Sequence, residues 1–228
     1  MREPIRLYIT AEGDTELQFV KNVLFEYLFL SKNVYCEVRK VATSKKLNKR
    51  GGMTTYAKAK EDIMRWMKNA TREARFSTMF DFYSLPSDFP GLTEAKKKDP
   101  YQAVEHIEKS IQKDISDDRF IPYIQLYEFE SLLFSGLDSF LSEYSGRSKQ
   151  IEQLKNQLAQ APNGNPELIN GKKETSPSHR ISKLIPEYQK KSSGTLLARL
   201  ITIDHIRTKC LHFNEWLTKL ENLNNIIE

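Results

Sequence analysis

Three apolar runs with the composition of β-strands each end in acidic residues. These are Glu12 after residues 5–11, Asp81 after residues 76–80, and the pair Glu128 and Glu130 after residues 120–127. Aspartate and glutamate are disfavoured inside strands, so carboxylates that close three strands predict side chains collected at one edge of a sheet. Carboxylate oxygens are the donors that a hard cation such as Mg²⁺ prefers. The pattern therefore indicates a cation site at that edge.

The spacing of apolar residues predicts alternating strands and helices. Between the strand-like runs, helices are expected over about 14–31, 54–69 and 100–115, and a further strand over 34–41. This order implies right-handed crossovers and a mainly parallel sheet with helices on both faces. Ligands of such sheets bind beyond the carboxyl ends of the strands, where the acidic residues lie.

From Gly136 onward the pattern becomes helical. The predicted helices cover residues 137–144, 149–160, 178–189, 194–203 and 212–223. We therefore expect an α/β fold in which residues 1–135 form the catalytic domain and residues 136–228 form a helical region packed on it.

Length and composition exclude several classes of protein. The chain has 228 residues, of which 39% are hydrophobic, enough for a buried core. No apolar run approaches the roughly 20 residues that span a bilayer, and the N-terminal residues do not resemble a signal peptide. The two cysteines and four histidines lack zinc-ligand spacing. We expect a cytoplasmic protein with no membrane partner, no structural zinc and no disulfide framework.

Basic residues outnumber acidic ones, 35 to 30, and much of the excess lies in short clusters. Lysine and arginine that neutralise phosphates release condensed counterions, so such clusters suit a polyanion. A solvated surface is the alternative interpretation of each cluster. Together with a cation site, the clusters favour nucleic acid as the substrate.

The segment that begins at Glu12, Glu-Gly-Asp-Thr-Glu, also has a structural interpretation as a capped helix start. Glu12 precedes the cap, where a carboxylate adds nothing to the helix that Asp14 does not supply. Gly13 permits a tight turn and the close approach of a phosphate.

The other acidic positions leave alternatives open. On a strand, Asp81 and Tyr83 would face the same crevice. Glu128 and Glu130 share a face if the third strand continues that far. If a helix begins at Phe129 instead, the two carboxylates diverge and only one can be a ligand.

These residues carry a resemblance to a known fold. The Glu12 segment on the first strand-to-helix turn and Asp81 after a later strand resemble the TOPRIM fold of primases, topoisomerases and overcoming-lysogenization-defect nucleases. Three longer segments are similar to a TOPRIM-like family of domains of unknown function that includes the nuclease effector of the PARIS anti-phage system. They are Phe-Asp-Phe-Tyr-Ser-Leu-Pro-Ser-Asp-Phe-Pro-Gly at 80–91, Gln-Leu-Tyr-Glu-Phe-Glu-Ser-Leu-Leu-Phe at 125–134 and Ser-Pro-Ser-His-Arg-Ile at 176–181.

The resemblance implies a metal-dependent nuclease that hydrolyses phosphodiester bonds. The expected substrate is RNA such as tRNA, and the expected role is that of a toxic effector in antiviral defence (abortive infection) with an ATPase partner. Glu12, Asp81 and Glu130 are the expected catalytic residues. Mg²⁺ is the expected cofactor, with Mn²⁺ as an alternative, and the resemblance leaves a homodimer open.

The TOPRIM pattern Asp-x-Asp reads Asp81-Phe82-Tyr83 here, so its second carboxylate is absent. Asp88 or Glu130 could replace it, and Glu128 or Glu130 could complete the site. One-metal and two-metal mechanisms both stay open. The candidate metal ligands are thus Glu12, Asp81, Asp88, Glu128 and Glu130.

Basic residues in turn-rich segments are candidates to hold the phosphate backbone. They are Lys45, Lys46, Lys49, Arg50, Lys172, Lys173, His179 and Arg180. Two other functions remain as alternatives. The chain could be a non-catalytic regulatory or interaction subunit whose carboxylates stabilise turns, or a hydrolase of small phosphorylated nucleotides.

Overall fold

A parallel sheet forms the centre of the protein. The computed structural model describes residues 3–41, 53–169 and 173–225. The strands are β1 (Ile5–Ala11), β2 (Val34–Lys40), β3 (Arg75–Asp81), β4 (Phe120–Ile121) and β5 (Ile124–Gln125). Their order is β2-β1-β3-β4, β5 also pairs with β3, and every pairing is parallel. The predicted α/β class, a mainly parallel sheet flanked by helices with a helical C-terminal part, is confirmed.

Apart from the short α4, the helices between the strands follow the predicted positions. They are α1 (Asp14–Phe19), α2 (Phe25–Lys32), α3 (Tyr56–Lys68), the short α4 (Leu92–Ala95) and α5 (Pro100–Ile115). A π-helical segment, Val20–Leu24, joins α1 to α2. The single helix predicted over 14–31 is therefore continuous but widened in its middle.

Local chemistry sets the bounds of α5. The Asp99 carboxylate accepts a hydrogen bond from the backbone N–H of Gln102 at 3.2 Å, and Pro100 occupies the first turn. Ser116 follows the last turn with a φ of 54°, which ends the helix. These signals explain why the predicted range and the observed one agree.

The prediction of one continuous strand over residues 120–127 is wrong. This segment divides into β4 and β5 around Pro122, which has no N–H to donate. The hydroxyl of Thr78 on β3 bridges the gap, since it accepts from the Tyr123 N–H at 2.9 Å and donates to the Tyr123 carbonyl at 3.0 Å. A side chain thus replaces the missing ladder bonds between the two short strands.

The C-terminal part consists of short helices. They are α6 (Glu130–Leu133), α7 (Phe140–Glu143), α8 (Ser148–Ala159), α9 (Pro177–Leu184), α10 (Lys190–Ile201), α11 (Ile203–Lys209) and α12 (Leu211–Glu221). The helix predicted over 178–189 ends at Leu184, and the next begins at Lys190 rather than at residue 194. Helices α4 and α11 were not predicted. A 3₁₀ segment, Phe134–Ser139, takes the place of the first three residues of the helix predicted over 137–144, and α7 covers the next four.

Two hydrophobic clusters cover the two faces of the sheet. Leu7 and Ile9 of β1 belong to one cluster, together with Leu197 of α10 and Trp216 of α12. Tyr8, which points to the opposite face, packs against the other cluster with α3 and α5. The C-terminal helices therefore share a core with β1, and the division at residue 135 stays a prediction. Among the described residues, no helix has the length and apolarity needed to cross a membrane.

Candidate functional site

Glu12 follows the last residue of β1 and reaches across to the end of β3. Its N–H donates to the carbonyl of Met79 at 3.1 Å. Its carboxylate accepts from the Asp81 N–H at 2.9 Å and from the Ser84 hydroxyl at 2.5 Å. Burial raises the pKa of Glu12, and the bonds from Ser84 and Asp81 oppose that rise. Glu12 is therefore fixed against the neighbouring strand end.

Asp81 is the last residue of β3 and carries the least satisfied carboxylate of the site. Its Oδ1 atom is buried and has no hydrogen-bond partner among the residues that the structure describes. Burial raises the pKa of Asp81 well above its ordinary value, and the nearby carboxylates of Glu16 and Glu12 raise it further. A buried oxygen in this setting attracts either a proton or a cation.

Glu16 on α1 is a member of the site that the sequence predictions missed. Its side chain is buried and accepts a hydrogen bond from the Gly13 N–H at 2.9 Å. Burial raises the pKa of Glu16 to about 7, with Glu12 and Glu130 contributing. A glutamate three residues after the helix start predicts the bond to the Gly13 N–H, but no local signal predicts that Glu16 lies beside Glu12 and Asp81.

Gly13 has a role that was not predicted, while the close approach of a phosphate to its backbone stays a prediction. Its backbone is extended, with a φ of −137°, so the turn does not require a left-handed residue. A Cβ placed on Gly13 would lie 3.0 Å from Glu16 Oε2. The missing side chain therefore makes room for the Glu16 carboxylate.

Glu128 and Glu130 lie after β5, beyond a turn in which Tyr127 has a φ of 61°. That conformation is uncommon for a residue with a bulky side chain and reverses the chain sharply. The Nζ atom of Lys190 lies 3.1 Å from Glu128 Oε2 and 3.5 Å from Glu130 Oε2. Helix α6 begins at Glu130, yet both carboxylates reach one ammonium group. The expectation that a helix start would separate them is wrong.

The two glutamates differ in their protonation. Burial raises the pKa of Glu128, but the Lys190 ammonium and the hydroxyls of Ser176 and Ser178 outweigh it, so that pKa lies below its ordinary value. The Ser178 hydroxyl is 2.8 Å from Glu128 Oε2. For Glu130, 1% exposed, burial prevails and raises the pKa to about 7 despite Lys190. Glu128 is thus the anion at neutral pH, while Glu130 is poised between its two forms.

Lys190, the first residue of α10, brings positive charge to these carboxylates. Burial lowers its pKa, but Glu130, Glu128 and Asp81 outweigh it, so the ammonium stays charged. Its side chain is 50% exposed. Lys190 and Lys191 form one basic pair among several in the sequence, and nothing local distinguishes them. Only the packing of α10 against α1 and α6 places Lys190 at the sheet edge.

We call Glu12, Glu16, Asp81, Glu128 and Glu130 the carboxylate cluster. In the described parts of the chain, no three histidine, cysteine, aspartate or glutamate side chains converge in a geometry that holds a metal ion. The reason is that Glu12 is bound to Asp81 and Ser84, and Glu128 to Ser178 and Lys190. The donor set consists of carboxylate oxygens, which fits Mg²⁺. Binding a cation requires some of these carboxylates to rotate.

Asp88 does not join the carboxylate cluster. Its two carboxylate oxygens accept from the N–H groups of Tyr56 at 2.8 Å and Ala57 at 3.2 Å. It therefore caps the N-terminus of α3. This corrects the interpretation of Asp88 as a replacement metal ligand.

A cavity of about 790 Å³ opens beside the carboxylate cluster. We call it the α9 cavity. Its lining residues are Tyr83, Ser84, Glu128, Glu174, Ser176, Ser178, His179, Ser182 and Lys190. Because Glu128 belongs to both the cavity and the carboxylate cluster, and Lys190 contacts Glu128 and Glu130, a ligand in the cavity lies next to the cluster.

The predicted phosphate-binding residues lie in different places in the structure. His179 lines the α9 cavity. Arg180 is turned to other partners, the Thr175 carbonyl at 2.6 Å and Gln157 Oε1 at 3.2 Å. Lys173 begins a short 3₁₀ turn that leads to Glu174. The remaining candidates lie outside the described residues: Lys45, Lys46, Lys49, Arg50 and Lys172.

Comparison with protein families yields a match over most of the chain. Residues 11–221 match the family described as "Domain of unknown function (DUF4276)". The matched range contains the whole carboxylate cluster. No curated protein and no solved structure matches the chain.

Proposed function

We propose that this chain, which belongs to the DUF4276 family, is a Mg²⁺-dependent hydrolase of phosphodiester bonds in nucleic acid. The observation that carries the proposal is the carboxylate cluster at the carboxyl ends of parallel strands, where such sheets bind ligands. Within it, Asp81 Oδ1 is buried with no hydrogen-bond partner among the described residues. Raised pKa values mark Glu12, Glu16, Asp81 and Glu130 as carboxylates that lack sufficient neutralising charge.

The residues that would hold the cation are Glu12 and Asp81, with Glu130 or Glu128 completing the set. A bound Mg²⁺ or Mn²⁺ supplies a Lewis acid that lowers the pKa of water and neutralises charge on phosphate oxygens. Ser84 and the Asp81 N–H orient the Glu12 carboxylate, and Lys190 adds a fixed positive charge beside the phosphate position. Since the second aspartate of the TOPRIM pattern is Tyr83, one metal with Lys190 is a sufficient arrangement.

Two features favour nucleic acid as the substrate. The chain carries a net charge of +5, which suits a polyanion. The α9 cavity is continuous with the cluster through Glu128 and Lys190, so a chain of nucleotides can lie across both. The resemblance to TOPRIM-like nucleases extends the proposal to RNA such as tRNA, to a toxic role in antiviral defence, and to an ATPase partner.

Hydrolysis of a small phosphorylated nucleotide is the second candidate function. The volume of the α9 cavity, about 790 Å³, lies within the range of about 300–1,000 Å³ that is usual for small-ligand sites. Comparing turnover of mononucleotides and of RNA separates the two hydrolases. A purely regulatory role for the chain predicts turnover of neither, with or without a partner protein.

The test is a cleavage assay with RNA and DNA, a series of divalent cations and a chelator. Glu12→Gln keeps the shape of the side chain and removes its charge, so cleavage should fall by at least about 100-fold if the cation acts in the chemical step. Glu105→Gln is the matched control, because Glu105 is an exposed carboxylate on α5 that pairs with Lys109. Wild-type cleavage by a folded Glu12→Gln protein would contradict the proposed site.

A further inference from the structure

Tyr83 presents an aromatic surface beside the carboxylate cluster. Its side chain is 42% exposed and lines the α9 cavity. The next residue, Ser84, donates a hydrogen bond to Glu12 at 2.5 Å. A planar group stacked on Tyr83 would therefore lie close to Glu12, the proposed cation ligand, because Tyr83 is next to Ser84 in the chain and Ser84 contacts Glu12.

The ring of Tyr83 is held in place by Tyr127. The Tyr83 N–H donates to the Tyr127 carbonyl at 3.0 Å. The two rings lie 5.3 Å apart with their planes at 38°. Tyr127 has a φ of 61°, so the turn that positions it is held in a costly conformation. The aromatic surface is thus fixed before any ligand arrives, which lowers the entropy cost of stacking.

The other walls of the α9 cavity are polar. Ser178, His179 and Ser182 project from α9, and Glu174 lies at one side. Hydroxyl and imidazole groups can both donate and accept hydrogen bonds, as base edges require. A cavity with one aromatic wall and several hydrogen-bonding walls suits a nucleobase better than an apolar ligand.

We propose that Tyr83 stacks against an unpaired nucleobase adjacent to the bond that is cleaved, so that the substrate is single-stranded or looped nucleic acid. This inference rests on the proposed nuclease function. A base within a duplex is already stacked and paired, and its extrusion into the cavity costs a few kcal/mol. A base in a loop or a single strand is free to enter the cavity and stack on an aromatic side chain.

The experiment measures binding with the cleavage-deficient Glu12→Gln protein. Its ligands are a single-stranded oligonucleotide, the matching duplex, and a set of strands in which one nucleotide at a time is abasic. Tyr83→Ala should weaken single-strand binding by about 5- to 150-fold, the range for the loss of one base stack. Tyr83→Phe should retain the affinity, since it keeps the ring. One abasic strand should bind the parent protein more weakly than the intact strand does. The Tyr83→Ala protein should bind that abasic strand and the intact strand equally well.

Tyr35→Ala is the matched control for the loss of an exposed tyrosine. Tyr35 is 38% exposed and lies near the start of β2, away from the carboxyl ends of the strands. Its removal should leave the affinity unchanged. Melting temperatures of all variants show that differences in binding do not come from unfolding.

The possible failures are distinguishable. If the wild-type protein cleaves nucleic acid but Tyr83→Ala binds single strands as tightly as the parent, the stacking role is wrong and the nuclease proposal stands. Tighter binding of the duplex than of the single strand would also contradict the stacking role and leave the nuclease proposal standing. If the wild-type protein neither binds nor cleaves any nucleic acid, both proposals are overturned together.

Discussion

The carboxylates of Glu108 and Glu167 are buried like those of the carboxylate cluster, but donors surround them. Glu167 accepts from the N–H groups of His212 and Phe213, each at 3.0 Å, and from the Tyr101 hydroxyl at 2.8 Å. Glu108 accepts from the Ile124 N–H at 2.8 Å and pairs with His212 at 2.9 Å. These contacts fasten α12 to α5 and to β5. We call Glu108, Glu167 and His212 the inner polar group.

The carboxylate cluster lacks such a complete set of donors. Asp81 Oδ1 has no hydrogen-bond partner in the described part of the chain, and the one ammonium close to Glu128 and Glu130 is half exposed. Burying an unsatisfied acceptor costs about 1–3 kcal/mol, so a carboxylate that serves only the fold is normally satisfied. This difference supports the proposal that the carboxylate cluster binds a cation, whereas the contacts of the inner polar group stabilise the protein.

The largest effect that distinguishes the carboxylate cluster from the inner polar group is expected when two carboxylates of the cluster are neutralised. Asp81→Asn should reduce cleavage by at least about 100-fold, as should Glu12→Gln. The double variant should lose little more than either single one, because both residues act on one cation. Single-turnover cleavage rates and calorimetric Mg²⁺ affinities of the wild-type protein, the two single variants and the double variant complete this double-mutant cycle. Losses that multiply independently would show that the two carboxylates do not share a metal.

The pH dependence of stability offers a second distinction. The Glu130 carboxyl has an ordinary pKa of 4.5, and burial raises it to about 7 in the folded protein. Between these values the folded state binds more protons than the unfolded one, so stability should fall as pH rises from about 4.5 to about 7 and then level off. The full shift corresponds to a loss on the order of 3 kcal/mol.

Urea unfolding of the wild-type and Glu130→Gln proteins between pH 5 and pH 8 measures this loss. The difference between the two curves reports Glu130 together with its effect on Glu16 and Asp81, whose pKa values it helps to raise. His212, whose pKa is also raised, lies in the separate inner polar group and contributes to both curves. Added Mg²⁺ should stabilise the wild-type protein more at pH 8 than at pH 5, since it binds the ionised carboxylates. Parallel curves for the two proteins would contradict a raised pKa of Glu130 in the folded protein.

The smallest expected effect tests the inner polar group. Glu167→Gln turns an amide N–H towards backbone donors, so the free energy of unfolding should fall by about 1–3 kcal/mol. Cleavage per folded molecule should stay at the wild-type level. Chemical denaturation together with the cleavage assay measures both quantities. A loss of cleavage with normal stability would place Glu167 in the functional machinery and erase the distinction between the two regions.

Local patterns in the sequence were sufficient for the sheet, apart from the division of its third strand, and for four of the five members of the carboxylate cluster, all but Glu16. Glu12 and Asp81 were found because each follows an apolar run, and parallel strands bring their carboxyl ends to the same edge. The α5 helix was found because its cap, its first-turn proline and its apolar spacing agree. In these places the physical cause of the structure lies within a few residues.

Contacts between distant segments were not predictable in this way. Lys190 reaches Glu128 across 62 positions of the chain, and Ser178 reaches it across 50. Nothing near Lys190 in the sequence marks it, since its position depends on how α10 packs. The division of the third strand was not predictable for the same reason. It depends on the hydroxyl of Thr78 from β3, which replaces the backbone bonds that Pro122 interrupts.

The position of Lys190 in the chain has a consequence for how the protein is made. Translation releases the strands and their acidic ends before Ser178 and Lys190 have been synthesised. At that stage Glu128 lacks both its serine donors and its ammonium partner, and one wall of the α9 cavity does not yet exist. The order of synthesis therefore keeps a nascent chain from completing its own site. Glu128 therefore gains its ammonium partner only after the segment that carries Lys190 has been synthesised and has packed as α10.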